Sequence, residues 1–236
     1  MTDHGGSGPA VVLLHGGGRD SSDWDPVVAR LRALGARPVT ADLRGHGSTP
    51  AAPWTWDLAL ADVAGVVSGL SLDRPVVVGH SLGGMVATLW SGIADCPLAI
   101  NLDGHGNPTS PAHYAGLADP LAGHVAVRTA LDTMAAGLDE DFRGVLRAID
   151  ALDLFAAYRR ARGPLVVTRG THSMAGLLPE DAQEPWRAYE RWTLAELRRT
   201  ATEVPTFRLQ ETDTGHDVHL EDPDLVVSLL APVLGG

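Results

Sequence analysis

Ser81 stands in the run Gly79-His80-Ser81-Leu82-Gly83-Gly84, directly after the apolar stretch Pro75 to Val78 and directly before residues with helical spacing. A serine held between a buried strand and a helix sits on a sharp turn. Bulky flanking residues would collide with the strand behind it and the helix ahead, and glycine on either side removes the collision. The hydroxyl then projects at the positive end of a helix, which favours the negative charge that develops as the oxygen attacks a carbon. That is nucleophilic chemistry, and it needs a base nearby. A Gly-x-Ser-x-Gly string by itself is also an ordinary turn; the strand-turn-helix context sets this one apart. Late in the chain, Thr214-Gly215-His216-Asp217-Val218-His219 offers two imidazoles. They read as a base with a packing neighbour or as two metal ligands, and the further ligands that zinc spacing requires are missing around them.

These residues need a scaffold, and the apolar pattern supplies one. Ala10 to Leu14 is a short continuous apolar run that ends at His15-Gly16-Gly17-Gly18, as expected for a parallel strand buried on both faces and then a tight turn. Asp25 reads as the N-cap of a helix with Pro26 at its first position, and Gly35 stops it. The unit recurs: a strand near Arg37 to Ala41, a helix through Leu60, Val63, Val67 and Leu70, the strand Pro75 to Val78, a helix from Leu82 to about Ile93, and a strand Pro97 to Leu102. Alternation at these lengths predicts an α/β fold, a mainly parallel sheet with right-handed crossovers and helices on both faces.

After Asp103 the rhythm changes. Gly104 to Gly163 carries helical periodicity without a convincing strand and reads as a helical cap, with helices starting at Asp139 and near Asp150 or Asp153, each acidic residue acting as an N-cap. The alternation then resumes with a strand Pro164 to Thr168, a helix Pro185 to Arg199, a strand Val204 to Leu209 and a helix Pro223 to Leu230. The predicted organisation is a core of residues 1–103 and 164–236, with residues 104–163 inserted after its fourth strand.

Composition narrows the partners. A formal charge of −11 and a pI near 5.2 leave no cationic footprint for nucleic acid or an anionic membrane, so a small-molecule substrate is the expected partner. No apolar run approaches the roughly 20 residues that span a bilayer. The lone Cys96 cannot form an internal disulfide, and Met1 to Pro9 lacks the pattern of a signal peptide, so a cytoplasmic location is expected. Oligomeric state is not legible.

Four features together resemble the α/β-hydrolase family over nearly the whole chain. His15-Gly16-Gly17 resembles its oxyanion loop, Asp42-Leu43-Arg44-Gly45-His46-Gly47-Ser48 its second-strand signature, Gly79 to Gly83 its nucleophile elbow and Gly215-His216 its histidine loop. Members usually begin with two strands before the oxyanion strand, whereas nine residues precede Ala10, so the expected sheet has about six parallel strands and not eight. The resemblance implies that Ser81 is the nucleophile, that His216 is the general base in preference to His219, and that the backbone N–H groups of Gly17 and Leu82 bind the oxyanion. His15 itself is expected to be structural.

The third triad member is harder to assign. The usual family position follows the strand Pro164 to Thr168, where the sequence reads Arg169-Gly170-Thr171-His172-Ser173 without a carboxylate. The family also uses a position one strand earlier, and Asp103 ends that strand; the resemblance therefore implies Asp103 as the acid that orients His216. A turn aspartate before Gly104 is the competing reading. Serine in the elbow argues against the family's dehalogenases and epoxide hydrolases, which use aspartate there. The expectation is a serine hydrolase of the carboxylic ester type, acting on an ester, lactone or thioester with no cofactor and no metal. A lyase or cyclase that uses Ser81 and His216 as acid and base without acylation, and a non-catalytic receptor on the same fold, stay open.

Overall fold

A computed structural model describes residues 1–235. The six predicted strands are present and parallel to one another: β2 (Ala10–Leu14), β3 (Arg37–Ala41), β4 (Val76–His80), β5 (Ala99–Leu102), β6 (Leu165–Gly170) and β7 (Phe207–Thr212). A seventh, β1 (Thr2–Asp3), is only two residues long and pairs antiparallel with β3. Two exposed polar residues carry no alternation for a sequence reading to find. What holds β1 is the edge of β3 and an ion pair between Asp3 and Arg37 at 2.7 Å.

The strand order is β1-β3-β2-β4-β5-β6-β7. From β2 the chain moves outward to β3, then returns to place β4 on the other side of β2. The order therefore reverses between β2 and β4, and the crevice beyond the C-terminal ends of those strands is where open α/β sheets bind ligands. Gly16 and Gly17 follow β2 and Ser81 follows β4, so both arrive at that crevice.

Helices cover both faces. On one lie α1 (Asp25–Ala33) and α9 (Pro223–Leu234), which with the sheet bury Val11, Leu13, Trp24, Val27, Leu31, Val78, Ile100 and Leu230. On the other lie α2 (Trp56–Gly69), α3 (Leu82–Ser91) and α6 (Leu154–Arg159), closing over Leu14, Val39, Val77, Met85, Val86 and Tyr158. Asp25 does not cap α1. Asp20 caps a 3₁₀ turn, Ser21–Trp24, that runs straight into the helix, so Asp25 lies inside it. Cys96 is buried, and Trp24 and Trp54 pack in the core.

Between β5 and β6 the chain forms α4 (Pro120–Ala135), α5 (Glu140–Asp150) and α6. Asp139 and Asp153 accept hydrogen bonds from Phe142 and Ala156 N–H and so cap α5 and α6, whereas Asp150 ends α5 and pairs with Arg128 at 3.0 Å. Asp119 caps α4. The long α7 (Glu180–Glu203) starts five residues before Pro185, near enough to its N-terminus that the missing N–H costs one bond. Its first half packs on α4 in a separate apolar cluster of Tyr114, Val127, Ala130, Leu178, Ala182 and Tyr189. A short turn, α8 (Val218–Glu221), precedes α9. No helix among the described residues is long and apolar enough to cross a membrane.

Candidate active site

β4 delivers Ser81 into α3 with a backbone φ of 51°, in the left-handed region that residues with a Cβ seldom occupy. The strain is held by crowding. A Cβ on Gly79 would lie 2.0 Å from the Gly83 carbonyl oxygen, and one on Gly83 would lie 2.3 Å from that of Leu14. Only glycine allows strand and helix to approach this closely, which is the physical content of the motif. Leu82 opens α3, so its N–H belongs to the first turn, which has no acceptor within the helix.

The loop after β2 is fixed by His15. Its Nδ1 donates to the Gly16 carbonyl at 2.7 Å, and its Nε2 accepts from the Leu43 N–H at 2.9 Å. These opposite roles require the neutral ring, and burial pushes its pKa down. Asp42 holds the neighbouring loop by accepting from the Ser21 N–H at 2.8 Å and from the Ser48 N–H and hydroxyl at 2.9 and 2.7 Å. Burial raises the Asp42 carboxyl, but these bonds outweigh it and hold it well below the carboxylate range.

At the end of β5, Asp103 also has a positive φ, 50°. Its side chain is 2% exposed. Oδ2 lies 2.8 Å from Nδ1 of His216; Oδ1 accepts from the Gly170 N–H at 3.0 Å and from Nη1 of Arg169 at 3.2 Å. Nε2 of His105 approaches Oδ1 to 3.3 Å. Burial pushes this carboxyl up, but the His105 and His216 rings and the Arg169 charge more than offset it, leaving it ionised far below the usual range. An ionised carboxylate only accepts, so Nδ1 of His216 carries the proton of that bond.

The residue after Asp103 is latched. The Asn101 amide accepts from the Gly104 N–H at 2.8 Å and donates to the Gly104 carbonyl at 2.9 Å. Two residues on, the Tyr189 hydroxyl donates to the Gly106 carbonyl.

Behind His216 the rings follow one another in a row of tilted contacts. His80 lies 4.7 Å from His216 and 4.3 Å from His219, and His219 lies 4.6 Å from Trp24, centroid to centroid. Nε2 of His80 donates to the His216 carbonyl at 3.0 Å. Burial, with its imidazole neighbours, pushes the His80 pKa well down; burial brings that of His219 to about 4. His219 is fully buried on the far side of His80 from His216.

Ser81, His216, Asp103, Gly17 and Leu82 all line one cavity of about 240 Å³. Its apolar wall comes from Met85, Phe142, Val145, Leu146, Ile149 and Met174, with Arg169, Trp186, Tyr189 and Glu190 beside them. The sequence reading gave no role to Arg169 or Glu190. Charged residues in a strand end and a helix look like solvated faces until the fold turns them toward each other. His172 is exposed and pairs with Asp213.

The sequence pattern of the family described as the alpha/beta hydrolase family matches residues 11–229. Over 98% of its length the chain is 26% identical to the esterase Rv0045c of Mycobacterium tuberculosis, of which 84% is covered. Over a shorter stretch, 35% of this chain and 27% of the relative, it is 37% identical to epoxide hydrolase 2 of Siraitia grosvenorii. The first curated relatives it matches are covered over 24% of their length. Among solved structures, the enol-lactonase from Burkholderia xenovorans LB400 superposes with a TM-score of 0.66 at 23% identity, covering 98% of this chain and 93% of that one.

Proposed function

The chain belongs to the α/β-hydrolase family, and on that premise we propose that it is a serine hydrolase that cleaves an ester, lactone or thioester of a small molecule through an acyl-enzyme. The observation that carries the reading is the 2.8 Å contact between Nδ1 of His216 and the buried, ionised Asp103, in a cavity that Ser81 also lines. In this reading Nε2 of His216 takes the Ser81 proton as Oγ attacks the acyl carbon. Asp103 holds the tautomer and stabilises the imidazolium, which then protonates the leaving group. Water, activated by the same ring, releases the acid. The N–H groups of Gly17 and Leu82 bind the oxyanion, where fixed donors in a dry site are worth most.

The cavity favours a substrate whose acyl part is small and apolar, because Met85, Phe142, Val145 and Ile149 bound about 240 Å³. Residues 104–163 supply Phe142, Val145, Leu146 and Ile149 to that wall, which supports treating them as a cap that selects the substrate. Serine at the elbow supports acyl transfer over the ester chemistry of aspartate nucleophiles. The single cysteine and the acidic charge fit a cytoplasmic enzyme acting without nucleic acid or membrane.

The test is labelling by a fluorophosphonate probe followed by a panel of short-chain esters, lactones and thioesters. Labelling at Ser81, lost in Ser81→Ala, with burst release of the alcohol, supports the reading. Turnover in which Ser81 goes unlabelled and added hydroxylamine captures no acyl group points to lyase or cyclase chemistry, and binding without turnover to a receptor; either overturns it.

A further inference from the structure

We propose that Arg169 is a positioning residue that, paired with Glu190, sets the charge the His216 ring feels through Asp103. The proposal rests on the triad reading above. Four groups lie in a row: Nδ1 of His216 is 2.8 Å from Oδ2 of Asp103, Oδ1 of Asp103 is 3.2 Å from Nη1 of Arg169, and Nη2 of Arg169 is 3.5 Å from Oε1 of Glu190. The charges alternate, and the three charged side chains are 2%, 13% and 13% exposed. Little water reaches them to screen the interaction.

The row joins separate elements, and its far end is anchored by contacts of its own. Arg169 lies on β6 and Glu190 on α7, so the row ties the sheet to the helix wall of the cavity. Glu190 accepts from the Ser173 hydroxyl at 2.5 Å, the Met174 N–H at 3.1 Å and Nε1 of Trp186 at 2.9 Å, so it is anchored beside Arg169. The strand end that lacks a carboxylate thus contributes a cation and the Gly170 N–H to an acid that comes from the neighbouring strand.

The consequence is electrostatic. A buried aspartate with no counter-charge would stabilise protonated His216 strongly and keep the ring from acting as a base until the pH is high. A guanidinium on the far oxygen of that aspartate withdraws part of the negative potential, and Glu190 returns some of it. The other ionisable groups around the row are His105 against Asp103, His80 and His219 behind His216, Asp217 with its partner Arg19, and the buried Tyr158 and Tyr189 hydroxyls. They are unchanged in the variants below, so a difference between variants reports on Arg169 and Glu190.

The experiment compares wild type with Arg169→Met, Arg169→Lys and Glu190→Gln by the pH profile of kcat/KM on a chromogenic acetate ester. In parallel, the His216 ring is titrated by NMR. Arg169→Met moves the acidic limb and the His216 midpoint up by about one pH unit, Arg169→Lys restores most of it, and Glu190→Gln moves both down. The opposite signs are what a purely structural role does not produce. Limbs that stay within about 0.3 unit of wild type, or that move the same way in both charge-removing variants, overturn the proposal. Glu190→Gln keeps a hydrogen-bonding group in place and so remains a test if Arg169→Met fails to fold. The NMR midpoints are read without turnover, so failure of the hydrolase reading, seen as no ester hydrolysis by wild type, is distinguishable from failure of the row.

Discussion

Nδ1 of His216 lies 2.8 Å from Oδ2 of Asp103, although 113 positions of chain separate the two. The other oxygen of Asp103 already accepts from Gly170 and Arg169. In Asp103→Asn the amide oxygen takes that place, which turns Nδ2 toward His216 and requires its Nδ1 to accept. The proton then sits on Nε2, where the base is needed. Asp103→Asn therefore lowers kcat by up to about four orders of magnitude, with unchanged circular dichroism and Tm within a few degrees. Near-wild-type turnover of this variant would leave Asp103 without the role given to it.

On the serine-hydrolase proposal, Ser81→Ala and His216→Ala each lower kcat by about three orders of magnitude or more, and the double variant is no worse than either single one, because a nucleophile and its base act as a unit. Steady-state kinetics on the best ester of the panel reads this out. His219→Ala behaves differently: the ring lies fully buried between Trp24 and His80. Its removal lowers Tm by at least about 4 °C while kcat stays within about tenfold of wild type.

His15→Leu removes both the bond to Gly16 and the acceptor for the Leu43 N–H, freeing the loop that aims the Gly17 N–H. The expected loss is about a hundredfold in kcat, as for one oxyanion donor, with little change in KM. A loss confined to KM would show that the loop binds the ground state.

Stability falls on the acid side in two stages. His15, His80 and His219 are held neutral by burial, with His219 brought to about 4. Above the unfolded value of 6.5 neither state binds the extra proton and stability is complete; below it the unfolded chain is protonated first, and stability is lost down to about pH 4. Asp42 and Asp103, depressed in the fold, contribute fully above the unfolded value of 3.8 and lose that contribution below it. Urea midpoints should be flat from pH 8 to 7, decline from 6.5, and steepen below 4. A His219→Phe variant with an undiminished decline between pH 6.5 and 4 counts against this account.

The sequence carried much of this because its strongest signals are local. Apolar runs placed six strands within a few residues, and the glycines around Ser81 described a turn that only they allow. Asp103 entered through the resemblance to the α/β-hydrolase family, whose alternative acid position falls at the end of the strand beside the one that lacks a carboxylate. The two residues of β1 were hidden because their pairing depends on the edge of β3, not on their own pattern. α4 was hidden because Leu121, Val125 and Met134 are exposed on it, which blurs the period of its buried face. The row through Arg169 and Glu190 was hidden because residues on a strand and a helix meet there only once both are packed.

The Asn101 amide that grips both backbone groups of Gly104, with the Tyr189 hydroxyl on Gly106, gives this scaffold a form of mechanical isolation. Chain between Gly106 and Asp153 can lengthen, diverge or be exchanged for a segment from another protein without dragging Asp103 out of line, because the pull ends at the two clamps. In the proposed reading, chemistry and substrate choice are thereby separately heritable. If the proposed reaction holds, a chimera that keeps residues 1–106 and 153–235, and with them the core helix α6, inherits it, and the segment between them is free to change what the reaction is applied to.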